Sequence, residues 1–142
     1  MQIEDFVLDV DQHIDIKAPV EKVFASLLHR ISDEQVLPDG TEFRMELEPY
    51  PGGRWYRKLD ETAGHLWGFV QVIKPPKLLE ICGPLFMSYP ASGHIAFRLE
   101  ATDGGTRLSL RHRVVGLIQD DHRQGVVPGW QVMLDDMKVR CE

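Results

Sequence analysis

The sequence predicts an α+β fold, in which a curved antiparallel sheet of about six to seven strands wraps around a long C-terminal helix. One or two short helices follow the first strand. Three observations carry this reading. A segment with a period of two opens the chain, strand-like runs separated by turn signals fill its middle, and an apolar stripe at helical spacing closes it.

From Phe6 to Lys17, residues Phe6, Leu8, Val10, Ile14 and Ile16 share one parity. Asp9, Asp11, His13, Asp15 and Lys17 fill the other, the pattern of a half-buried strand. Ala18-Pro19 ends it, and the fixed φ of proline suits a first helical turn. Val20, Val23, Phe24, Leu27, Leu28 and Ile31 then follow at helical spacing, with Glu21 near the positive end of the helix dipole. Residues 32–39 form a second short helix or a loop, with a turn at Pro38-Asp39-Gly40.

The strands come next. Phe43, Met45 and Leu47 alternate with Arg44, Glu46 and Glu48 before the turn Pro51-Gly52-Gly53. Arg54 to Asp60 is the following strand, Thr62-Ala63-Gly64 its connection, and His65 to Lys74 a longer strand closed by Pro75-Pro76. Leu78 to Cys82 precedes an irregular stretch from Gly83 to Ser92. His94 to Ala101 and Thr106 to Val115 flank Asp103-Gly104-Gly105, a hairpin signal. After a polar loop from Gln119 to Gly125, a final helix carries Val127, Trp130, Leu134, Met137 and Cys141 on one stripe. Short turns between consecutive strands make a meander with one face to cover, and the terminal helix is the cover. No repeat or linker interrupts the chain, so residues 1–142 are expected to form one domain.

A chain of 142 residues buries roughly two thirds of its unfolded surface, so its core needs neither disulfide nor metal. The net charge of −6 argues against nucleic acid or an anionic membrane as main partner, since both need a cationic face. No run approaches the ~20 apolar residues of a membrane span. The acidic start, Met1 to Asp5, lacks the basic and apolar regions of a secretory signal, which points to the cytoplasm. Cys82 and Cys141 lie far apart without CxxC spacing and read as free thiols.

Four stretches resemble the START-like (SRPBCC) superfamily, and within it the bacterial relatives of the Hsp90-ATPase-activator homologues. Ile14-Asp15-Ile16-Lys17-Ala18-Pro19, running into Val20-Glu21-Lys22-Val23-Phe24, resembles the first strand and helix start. Pro51-Gly52-Gly53-Arg54-Trp55 resembles the Gly-Gly turn, and Gly68 to Leu79 the segment with two prolines. Gly105 to Leu110, with Gly129-Trp130 and Leu134, resembles the last strand and helix. The resemblance spans nearly the whole chain and implies the helix-grip fold. It implies several functions: binding of lipids and other small hydrophobic molecules, polyketide cyclisation, or contact with a chaperone.

A strongly curved sheet around a helix leaves a cavity suited to small ligands. Parity turns Ile95, Phe97 and Leu99 inward on one hairpin strand, and Leu108, Leu110, His112 and Val114 on the other. Trp55, Arg57 and Leu59 share a parity in their strand. The expected cavity lining is therefore Trp55, Arg57, Phe97, Leu99, Leu110, His112, Trp130, Leu134 and Met137. His112 and Arg57 would be polar handles for one end of a ligand. The alternative is a buried histidine bonded to backbone, with Arg57 in solvent. Phe86, Met87 and Tyr89 form either a gate over the cavity mouth or a protein contact patch.

Other chemistries find less support. Six histidines show no HxH, HExxH or His–Cys spacing, so no metal is expected. No serine has a GxSxG context. Asp135 and Asp136 point about 100° apart on a helix and read as a solvated face. The first expectation is a binding module for a small hydrophobic molecule, without cofactor, as a monomer or homodimer. The alternatives are a co-chaperone-type interaction domain and a cyclase-like enzyme using His112 as acid/base, with Arg57 or Tyr56 beside it.

Overall fold

The computed structural model describes residues 1–142. A 3-10 turn (Ile3–Phe6) leads into β1 (Val7–Ile16), followed by α1 (Val20–Arg30). Then come β2 (Glu46–Leu47), β3 (Arg54–Lys58), β4 (Gly64–Lys74), β5 (Leu78–Gly83), β6 (Ala91–Thr102), β7 (Gly105–Gly116) and α2 (Asp120–Cys141). The strands form one antiparallel sheet in the order β1-β7-β6-β5-β4-β3-β2. Six strands follow α1 as a meander, and β1 joins the sheet at its other end by pairing with β7.

In β1 the alternation becomes burial: Leu8, Val10 and Ile16 enter the core while the aspartates face out. Asp9 and Asp15 pair with Arg111 and Arg107 on β7, so the polar face is stitched across strands. The β6–β7 hairpin turns on Asp103-Gly104, and its two inward sets, Ile95, Phe97, Leu99 and Leu108, Leu110, His112, Val114, are buried. Gly105 has a steric reason to be glycine. A Cβ there would stand 2.1 Å from the Ile16 carbonyl oxygen, where the hairpin end meets the end of β1.

Pro19 is the N-cap of α1 rather than its first turn. Residues 32–39 are a loop, and strand structure begins only at Glu46. The Phe43 amide bonds to the Gln35 carbonyl and the Met45 amide to the Ser32 carbonyl, so this backbone turns back on the post-α1 loop instead of joining the sheet. β3 ends at Lys58, and Leu59 is 64% exposed.

Helix α2 begins at Asp120, so the expected polar loop up to Gly125 is helical. Asp120 and Asp121 favour the positive helix end, and Arg123 is anchored to the carbonyls of Val7 and Asp5 at 2.9 and 3.0 Å. These contacts hold the opening of a helix whose next turns Gly125 and Pro128 disfavour. The buried stripe runs Val126, Trp130, Met133, Leu134, Met137 and Cys141, while Val127 is 48% exposed. Further along, Lys138 Nζ reaches the Asp15 carbonyl at 3.3 Å, and Glu142 accepts the Lys17 amide at 2.9 Å. The polar side chains of α2 thus run along the unpaired side of β1.

One cluster of 28 buried residues joins the sheet, α1 and α2, so sheet and helices share a single core. No helix is long and apolar enough to cross a membrane.

Candidate functional site

A cavity of about 300 Å³ lies between the first half of α2, the loop after α1 and the inner face of β4. Its apolar wall includes Phe43, Trp67, Phe86, Val126, Trp130 and Met133. Four aromatic side chains, Phe43, Trp67, Phe86 and Trp130, belong to it. Phe86 packs against Trp67 at 5.9 Å, His122 at 5.3 Å, His112 at 6.1 Å and Trp130 at 6.4 Å between ring centroids. The first three are edge-on contacts that suit the ring quadrupoles, and the last is tilted.

Polar groups enter at two places. Asp121 and His122 line the cavity from the first turn of α2, and His122 Nδ1 is 2.7 Å from the Tyr89 hydroxyl. Arg30 and Gln35 line it near the end of α1. Arg30 is only 2% exposed, and its guanidinium donates to Asp136 at 2.6 Å and to Gln35 at 2.5 Å. Burial pulls the Arg30 pKa below its ordinary value, against the pull of Asp136. Asp136 also accepts from Arg140, so it ties α1 to α2 instead of facing solvent.

His112 sits one ring behind the wall and is fully buried. Trp130 Nε1 donates to its Nδ1 at 3.1 Å, rather than a backbone group bonding to it. Burial first, and the neighbouring His94 second, push its pKa down to about 4, so the ring is neutral near pH 7.

Among the other expected lining residues, Trp130 lines the cavity, whereas Phe97, Leu99, Leu110, Leu134 and Met137 belong to the packed core beside it. Trp55 is also in the core, its indole donating to the Ile31 carbonyl at 2.7 Å. Leu59, grouped with Trp55 by parity, lies beyond the end of β3 at Lys58, and the register shift beside Trp55 places its extra residue, Trp67, on β4. Arg57 is half-buried and does not line the cavity. Its guanidinium lies 3.8 Å from the centre of the Phe43 ring, which itself forms part of the wall. Tyr56 carries the Arg54 guanidinium on its ring at 4.7 Å.

The Gly83–Ser92 stretch divides its roles. Leu85 and Met87 are fully buried plugs, Phe86 forms cavity wall, and Tyr89 stacks on His122. Leu85 takes a left-handed φ of 55°, held by its amide bond to the Trp67 carbonyl.

Sequence reasoning missed Trp67, Phe43, Arg30 and His122. Arg30 did leave a signal, standing seven residues after Val23 and three after Leu27 on the buried side of α1. His29, Asp33 and Glu34 also come together at the exposed end of α1, but His29 already pairs with Asp33 and Glu34 with Arg140.

Comparison with solved structures shows the same fold at low identity. An uncharacterised protein from Rhizobium leguminosarum is 18% identical, with TM-score 0.70, over 94% of this chain and 93% of that one. CalU16 from Micromonospora echinospora is 20% identical, with TM-score 0.62, over 94% and 73% of the two chains. The di-domain ARO/CYC protein StfQ of the steffimycin biosynthetic pathway is 12% identical, with TM-score 0.69. There 98% of this chain covers 52% of that one. Among curated proteins, none matches the sequence. The family described as Activator of Hsp90 ATPase homolog 1-like protein matches residues 17–142. With nearly the whole chain matched and the sheet clasping its terminal helix as in these relatives, the protein belongs to the Activator of Hsp90 ATPase homolog 1-like family.

Proposed function

We propose that this protein is a binding module for a small hydrophobic molecule, lipid-like or aromatic, seated between α2 and the loop after α1. The observation that carries this reading is the aromatic-walled cavity of about 300 Å³, within the range of small-molecule sites. Its composition supports it too: apolar side chains, four of them aromatic, make most of the wall, and the few polar groups enter from two places, where they would orient a ligand. The test is titration with the neutral dye N-phenyl-1-naphthylamine, read by its fluorescence. Saturable one-to-one binding is expected, and it should vanish in Gly129→Trp, because Gly129 lines the cavity and a Cβ there meets only Pro38 Cγ at 3.9 Å. Unsaturable binding, or identical binding by the variant, would refute the proposal.

A second reading is a protein-interaction domain of co-chaperone type, supported by the description of the family. Stimulation of a purified Hsp90 ATPase by this chain, undiminished in Gly129→Trp, would favour it. A cyclase-like reading has the fold of StfQ behind it, but His112 lacks the second polar group that acid/base work needs. Arg57 is stacked on Phe43 and Tyr56 under Arg54.

A further inference from the structure

Four buried side-chain polar atoms have no hydrogen-bond partner in the protein: Gln12 Oε1, Arg57 Nη1, Trp67 Nε1 and His112 Nε2. The last three border the aromatic wall, and all three are donors. Indole and guanidinium offer no acceptor atom. His112 is a donor by elimination, because its Nδ1 accepts from an indole that can only donate, which leaves the proton of the neutral ring on Nε2. Trp67 is 6% exposed and His112 not at all.

Trp67 lines the cavity itself, and Phe86 connects His112 to it. Phe86 also lines the cavity, is half-buried, and packs edge-on against Trp67 and His112 alike. A buried N–H without an acceptor costs free energy that an incoming oxygen recovers, whereas an incoming N–H would face donor with donor. A charged oxygen would have to be desolvated beside two neutral donors. Arg57, the one cation of the three groups, is separated from the cavity by Phe43, on which it stacks and which packs on Trp67 at 5.8 Å.

We infer that the cavity takes an apolar, ring-bearing molecule with a neutral carbonyl oxygen, which shifts Phe86 aside and accepts hydrogen bonds from Trp67 Nε1 and His112 Nε2. The inference rests on the binding function proposed above and adds the chemistry of the ligand.

Three probes of matched shape test it: 2-acetylnaphthalene, its alkene counterpart 2-isopropenylnaphthalene, and 2-naphthoate. Affinities are read by quenching of tryptophan fluorescence. The ketone should bind at least about tenfold more tightly than the alkene, and more tightly than the carboxylate. The indole N–H resonance of Trp67 should shift with the ketone and not with the alkene. Trp67→Phe should reduce the ketone's advantage while leaving alkene affinity in place, and the comparison on the unaltered protein holds even if that variant folds poorly. If N-phenyl-1-naphthylamine binds but the ketone gains nothing over the alkene, the inference is wrong and the binding function stands. Tightest binding by the carboxylate would overturn the inference in the same way. If none of the four compounds binds, the binding function itself fails.

Discussion

Trp130 on α2 donates its indole N–H to Nδ1 of His112 on β7 across 3.1 Å, and this bond sets which nitrogen of the buried imidazole carries the proton. It is also a polar link between the terminal helix and the sheet inside an otherwise apolar interface. Trp130→Phe keeps an aromatic ring and removes the donor. It should cost about 1–3 kcal/mol of stability in urea unfolding, since His112 Nδ1 is then buried without a partner. Nitrogen-15 shifts of His112 should show the pure Nε2–H form in the unaltered protein and a mixture in the variant.

The pH dependence follows from the same ring. Its folded pKa is about 4, against about 6.5 for an unfolded histidine. Between those values the unfolded chain binds a proton that the folded chain does not. The stability contribution is therefore complete above pH 6.5 and is lost as pH falls toward 4, to a total of ~3 kcal/mol. His112→Asn keeps an acceptor for Trp130 and removes the titration. Unfolding free energies measured from pH 7 to pH 4 should fall more steeply for the unaltered protein; parallel curves would mean that His112 is not held neutral.

Arg30 and Asp136 make the bond between α1 and α2 a charged one. Asp136→Ala would leave the guanidinium of Arg30 buried with only Gln35 for company. The expected loss is ~2–4 kcal/mol, reduced from the fully buried case because Asp136 is about one-third exposed. Asp135→Ala, on the neighbouring face, should change stability by less than about 0.5 kcal/mol. Thermal unfolding of the two variants side by side decides it.

Gly125 stands in a helix with open space where a Cβ would be. Gly125→Ala should stabilise the protein by ~0.5–1 kcal/mol, seen as a rise of a few degrees in Tm. A fall would show that the first turns of α2 need the flexibility that Gly125 provides.

The contrast between hairpin and cavity shows what was legible in the sequence. Side chains on β6 and β7 alternate without a bulge over twelve residues, so parity alone placed Phe97, Leu110 and His112 inside. The cavity wall is different. Phe43 and Gln35 come together through a backbone reversal after α1, which leaves no periodic trace. Trp67 and Val70 are both buried on β4 although they differ in parity, because Trp67 is an extra residue between the pairs Tyr56–Leu66 and Trp55–Gly68 and resets the alternation there. The start of α2 was hidden by Gly125 and Pro128, whose local preference is overcome by the tertiary anchors Arg123 and His122.

The row of side chains that α2 lays along β1 has a consequence for how copies of this protein meet. A ten-residue strand at the margin of a sheet is a template on which another chain can add a strand, the first step of edge-to-edge aggregation. Here Arg123 occupies the Val7 carbonyl and Lys138 that of Asp15, near the two ends of the strand, and Glu142 takes the Lys17 amide just beyond it, so an intruding strand would have to displace these side chains. The terminal helix thus protects the ends of this margin as well as covering the core.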